Sequence, residues 1–136
     1  MTAPSAIIPT LCYDDVRAAM TFLQSAFGFE TRFEVPDEQG GVRHAQLTAG
    51  PAMIMLSPAR PAGDPFGKFQ RTPSELGAGT QSAYMVVPDI DTHHKRAVAA
   101  GARVVLGPVD EGHGRSYSCL DPEGHLWNFG DYDPWA

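Results

Sequence analysis

The chain repeats itself at a shift of 73 residues, and this self-similarity limits its possible folds more than any other feature. The shift lays Gly28 on Gly101, Asp37-Glu38 on Asp110-Glu111, Gly41 on Gly114 and Leu47 on Leu120, all without a gap. It also lays Ile54, Met55 and Leu56 on Trp127, Asn128 and Phe129, while a shift of 74 sets Asp15-Val16 on Asp89-Ile90. A period of this size means that one supersecondary unit is used twice. Each unit reads as a strand, a helix and three more strands. In the first, Ile7 to Tyr13 is an apolar strand and Asp14 or Asp15 caps a helix. Val16, Ala19, Met20, Leu23 and Phe27 then recur at helical spacing until Gly28 stops them. Phe29 to Val35, Val42 to Thr48 and Ala52 to Ser57 follow as strands. The second unit predicts strands at 81–87, 102–107, 115–120 and 125–129, with a helix over 90–100 behind Asp89.

The closing stretch fixes which way the last strand faces. Asp121-Pro122-Glu123-Gly124 is a turn: proline presets φ at its second position and glycine accepts a positive φ at its end. Beyond it, Trp127 and Phe129 alternate with Leu126, Asn128 and Gly130. Two large aromatics on one side predict packing against a helix, which leaves Asn128 at the centre of the other face. By the same alternation, that face takes in Ile8, Thr10 and Cys12; Met53, Met55 and Ser57; Ser82, Tyr84 and Val86; and Tyr117 with Cys119. Apolar walls carrying a few hydroxyls, amides and thioethers suit a small-molecule pocket. Methionine adapts to flat or irregular ligands and contacts aromatic rings favourably. Between the units, residues 58–79 hold four prolines and four glycines. A 22-residue connection is long for a compact fold and is expected to act as a lid or mobile segment, adding Phe66 and Phe69 to the pocket.

A length of 136 residues fits one domain, with module 1 at about 5–57, the loop at 58–79 and module 2 at about 80–133. A formal charge of −6 without a basic cluster argues against nucleic acid or an anionic membrane as partner. No apolar run approaches the roughly 20 residues of a membrane span, and Met1 to Ser5 has no basic region leading an apolar stretch. Cys12 and Cys119, both in apolar strands, are expected as buried thiols in a reducing compartment, which points to the cytoplasm. Adjacent His93 and His94 diverge by about 100° on a helix and are expected to be solvated. His125 is expected to serve the turn, and His113 and Arg115 to be ordinary loop and surface groups.

Taken together, Asp15-Val16 through Phe22-Leu23, Ala26-Phe27-Gly28-Phe29, Ala99-Ala100-Gly101-Ala102 and Asp121-Pro122-Glu123-Gly124-His125-Leu126-Trp127 resemble the vicinal oxygen chelate superfamily. That superfamily includes glyoxalase I, extradiol dioxygenases, fosfomycin-resistance enzymes and bleomycin-binding resistance proteins. The resemblance implies an α+β fold of two tandem βαβββ modules forming an eight-stranded open barrel-like cup, closed in a homodimer. Metal-using members place ligands on the first and last strand of each module. By register those positions are Ile8, Met55, Asn128 and either Ser82 or Gln81. Zinc, iron and manganese need imidazole, carboxylate or thiolate donors, so no metal or other cofactor is expected. The implied ligand-binding residues are Ile8, Thr10, Met53, Met55, Phe66, Ser82, Tyr84, Tyr117 and Asn128, with no catalytic residue assigned. The implied activity is metal-independent sequestration of an apolar or aromatic small molecule such as an antibiotic. A glyoxalase-like lyase or isomerase is the alternative.

Overall fold

The computed structural model describes residues 5–61 and 63–136. The opening residues read above as no leader, and Ala62 of the connection, lie outside it. Module 1 runs β1 (Thr10–Tyr13), α1 (Val16–Phe27), β2 (Glu30–Pro36), β3 (Val42–Ala49) and β4 (Ala52–Pro58). Module 2 follows with β5 (Ala83–Val86), α3 (Ile90–Ala99), β6 (Arg103–Asp110), β7 (Arg115–Leu120) and β8 (Leu126–Gly130). The connection is not featureless: it carries a 3₁₀ turn at Phe66–Lys68 and the short helix α2 (Pro73–Leu76). Thr72 caps that helix by accepting from Glu75 N, and its side chain is fully buried. The first strand is shorter than the sequence suggested. Pro9 has no N–H to give the ladder, so Ile8 lies outside β1, although Pro9 O still accepts from Met55 N at 3.0 Å.

Each module makes one four-stranded mixed sheet, ordered β1-β4-β3-β2 in the first and β5-β8-β7-β6 in the second. The first strand of each module runs parallel to the last, and the remaining pairs are antiparallel. Among the described residues no ladder joins the two sheets, which do not close into a barrel. Asp15 and Asp89 cap the two long helices, each side chain accepting from the amide three residues on. Gly28, at φ 78°, ends α1 in the left-handed conformation that glycine tolerates best.

Both sheets turn their apolar side toward one core. Ile54 and Leu56 of β4, Trp127 and Phe129 of β8, and Val16, Leu23 and Phe27 of α1 belong to a single buried cluster. Phe27 is its hub, with ring centroids 5.3 Å from Trp127 and 4.7 Å from Phe129. α3 lies against α1, where Arg96 donates to Ser25 O, a carbonyl left open at the end of α1, and to Gln24 O, which also accepts from Gly28 N. With both apolar faces given to this core, the opposite faces of the two sheets turn away from it and from one another. Among the described residues no helix is long and apolar enough to cross a membrane.

Candidate functional site

The outward face of the first sheet carries Thr10, Met53 and Met55 as expected, with Ile8 just before β1. The parallel pairing of Thr10 with Met55 fixes their common face, and Met53 and Met55 are half-buried while Ile54 and Leu56 point inward. Antiparallel register adds Gln46 opposite Met55 and Thr48 opposite Met53. It also brings His44 beside Val35 and Gln46 beside Phe33. The outward face of the second sheet holds Tyr84 opposite Asn128, with Ser82 one step before β5. Since Thr10 pairs with Met55 as Tyr84 pairs with Asn128, Ile8 corresponds to Ser82. This removes the choice between Ser82 and Gln81 in favour of Ser82.

Asn128 is anchored on three sides. Its Nδ2 donates to Ser82 Oγ at 2.8 Å and to Ala83 O at 3.0 Å, and its Oδ1 accepts from Ser118 Oγ at 2.7 Å. Both amide hydrogens are thereby used. Tyr84 lies across Gly130, where an added Cβ would collide with the phenol oxygen, and its hydroxyl donates to Tyr132 O at 2.6 Å. At the turn end of the face, register partners Leu120 and Leu126 open into a groove of about 800 Å³ that continues beneath α2 and the closing turn. Phe66 sits instead on the connection, half-exposed, with the Arg60 guanidinium 4.8 Å above its ring. The connection itself is held to the edge strand by Gln70, whose Nε2 donates to Thr10 O at 3.2 Å.

Tyr117 requires a correction. It pairs with Phe129, not Asn128, and is buried on the core side along with Cys119. Residues directly opposed across an antiparallel ladder share a face, and a one-residue slip reverses it. From Gln46 to its partner Met55 is nine residues, whereas from Ser118 to its partner Asn128 is ten. The second closing connection therefore holds one extra residue, and the true offset before it is 72, not 73. Ser118, not Tyr117, is the side chain beside Asn128. Counting residues through the Asp-Pro-Glu-Gly turn is the signal that would have found it.

Behind the face, the Tyr117 hydroxyl lies 2.6 Å from His93 Nδ1. The His93 ring lies tilted against Phe129 with centroids 4.2 Å apart. Burial, with the charge of Arg96 adding to it, pulls the His93 pKa down to about 4, so the ring is neutral. Nδ1 then accepts from Tyr117, and Nε2 is buried with no hydrogen-bond partner among the described residues. His93 thus lies half-buried against the core, and His94 is half-buried edge-on to Tyr117; neither stands on a fully solvated helix face as expected. Burial likewise pushes the Tyr117 hydroxyl upward and the Cys119 thiol to about 12. Both cysteines are free and buried, as expected.

The closing turn fastens one module to the other. Asp121 Oδ2 accepts from Tyr13 OH at 2.6 Å and Trp127 Nε1 at 3.2 Å, while its Oδ1 accepts from the amides of Glu123 and His125. Glu123 accepts from Asp14 N and Asp15 N at 2.6 and 3.0 Å. His125 Nε2 donates to Cys12 O at 2.8 Å, a reach across the modules rather than within the turn.

With this geometry in place, comparison with known proteins is decisive. The family model described as Glyoxalase/Bleomycin resistance protein/Dioxygenase superfamily matches residues 7–129. The chain belongs to that superfamily. Uncharacterized proteins of Mycobacterium bovis and Mycobacterium tuberculosis are 33% identical to this chain over 126 residues. That span is 92% of this chain and 82% and 73%, respectively, of the relatives. Among solved structures, TioX from Micromonospora sp. ML1 is 30% identical with a TM-score of 0.73, covering 96% of this chain and all of its own. FosX from Listeria monocytogenes, a fosfomycin resistance protein complexed with Mn(II) and sulfate, is 15% identical with a TM-score of 0.68. It covers 98% of this chain and 94% of its own.

A metal bound as in metal-using superfamily members does not fit the residues present here. Ile8 offers no donor, Met55 only a thioether, Ser82 a hydroxyl, and the Asn128 amide is committed to Ser82, Ala83 and Ser118.

Proposed function

We propose that this member of the glyoxalase/bleomycin resistance superfamily sequesters an apolar or aromatic small molecule, such as an antibiotic, without metal and without chemistry. The observation carrying this reading is Asn128: the residue where a metal ligand would stand instead ties three strands together through its amide. Around it, the two outward faces offer thioethers, rings, hydroxyls and amides, the composition of a pocket that holds flat ligands by burial. The proposed site comprises Ile8, Thr10, Met53 and Met55 on one sheet, with Ser82, Tyr84, Ser118 and Asn128 on the other. Phe66 is proposed to reach it from the connection. Because the two faces look away from a shared core, the cup forms in a homodimer, where the first sheet of one chain faces the second sheet of its partner. A reducing, cytoplasmic setting suits the two buried thiols.

The test combines metal analysis with mass-resolved incubation. Protein purified without chelator is expected to carry far less than one zinc, iron, manganese or nickel per chain. A panel of flat aromatic antibiotics is expected to contain micromolar binders, about −8 kcal/mol, recovered chemically unchanged. Met55→Asp places an unpaired charge on the apolar wall and is expected to abolish that binding. A stoichiometric metal, or a ligand recovered with altered mass, would reject the reading in favour of a lyase or isomerase.

A further inference from the structure

The polar groups of the two outward faces are not equally available. On the second sheet, both amide hydrogens of Asn128, the Ser118 hydroxyl hydrogen and the Tyr84 hydroxyl hydrogen are all donated within the chain. That surface is largely self-satisfied, and a ligand polar group gains little by meeting it. The first sheet differs. His44 and Gln46, both half-buried on β3, meet through Gln46 Nε2 and His44 Nε2 at 3.2 Å. An amide nitrogen only donates, so His44 Nε2 accepts and the imidazole proton sits on Nδ1. This leaves the His44 Nδ1 hydrogen as a donor and the Gln46 carbonyl as an acceptor, with no other side-chain hydrogen bond to either among the described residues. Turning the amide over makes the Gln46 amide hydrogens the donors and His44 Nδ1 the acceptor, so a donor and an acceptor still remain.

Apolar partners flank this pair on the same face. Phe33 lies beside it, half-exposed, with its ring centroid 6.4 Å from that of His44. Met55 is directly opposite Gln46 in the ladder. We propose that His44 and Gln46 are the specificity-determining anchor of the pocket. They recognise a ligand bearing an adjacent donor and acceptor, as in a carboxamide or lactam, attached to an aromatic ring that packs on Phe33 and Met55. A half-buried donor and acceptor left unmatched disfavour a purely hydrocarbon ligand, whereas a matching amide recovers both bonds. This inference rests on the small-molecule reading above.

The experiment compares 2-naphthamide with its apolar counterpart 2-isopropylnaphthalene, titrated into the full chain and followed by intrinsic fluorescence and ligand-observed NMR. Burial alone favours the hydrocarbon, so the expected result, at least tenfold tighter binding of the amide, has the opposite sign. Gln46→Met and His44→Phe should each erase that preference while still binding the hydrocarbon, with thermal unfolding confirming that both variants fold. If the hydrocarbon binds wild-type protein as tightly as the amide, or the preference survives both substitutions, the anchor is wrong and the pocket stands. If neither compound binds at millimolar concentration, the pocket and the anchor fail together.

Discussion

His93 and Tyr117 form a polar contact inside an aromatic cluster, and the arrangement makes the fold sensitive to acid. Burial holds the His93 pKa near 4 in the folded chain, against 6.5 for an ordinary histidine. Between those values the unfolded chain binds the extra proton and the folded chain does not. The contribution is therefore full above about pH 6.5, falls as the pH drops toward 4, and levels off below it. Urea midpoints measured from pH 7.5 to 4 should show this fall. In His93→Phe the histidine part of the slope should vanish, whatever the variant's absolute stability. An unchanged slope would mean that the imidazole reaches water.

At the level of elements, the closing turn does more than reverse the chain. Alternate residues 121, 123 and 125 each hold a different part of the segment where β1 passes into α1. Glu123 replaces water at two amides beside the start of α1, where a carboxylate also interacts favourably with the helix dipole. Glu123→Ala is expected to cost about 1–2 kcal/mol, the upper range of exposed caps, because two donors lose one ionised partner. Glu123→Gln should recover part of that. Chemical denaturation of the three proteins measures the order, and equal stabilities would mean the contact is only incidental.

The same turn marks where the sequence could and could not be read. Proline and glycine gave its shape, and the alternation of Trp127 and Asn128 gave the orientation of β8, because both are local signals. The helices were equally legible from their aspartate caps and apolar spacing. The orientation of β7 was not, since a duplicated pattern with one residue added between two strands keeps its similarity on either side while reversing parity on one. The contacts of Asp121, Glu123 and His125 with residues 12–15 were also hidden, because partners more than a hundred residues apart leave no spacing to detect.

For the whole molecule, the proposed assembly makes a prediction that a one-chain pocket does not. Met55→Asp spoils the first sheet's face and Tyr84→Asp the second's, and each homodimer then has one damaged wall in every cup. In a mixed dimer the two lesions gather in one cup and leave the other intact. Refolding the two variants together should thus restore binding of an aromatic ligand to about a quarter of the wild-type sites under random pairing. Calorimetry of the mixture against each variant alone measures this, and no recovery, with chain exchange verified by mass, would place the pocket within a single chain.

In the proposed dimer, the outward turn of Met55 and Asn128 from one shared core also changes what abundance means for such a protein. A pocket built by two chains is a second-order product: near the dissociation range of the dimer, halving the chains removes more than half of the sites. The dependence runs both ways, since a molecule gripped between sheets of different chains opposes their separation. Exposure to ligand would then recruit its own binding capacity from chains already made, before any new synthesis.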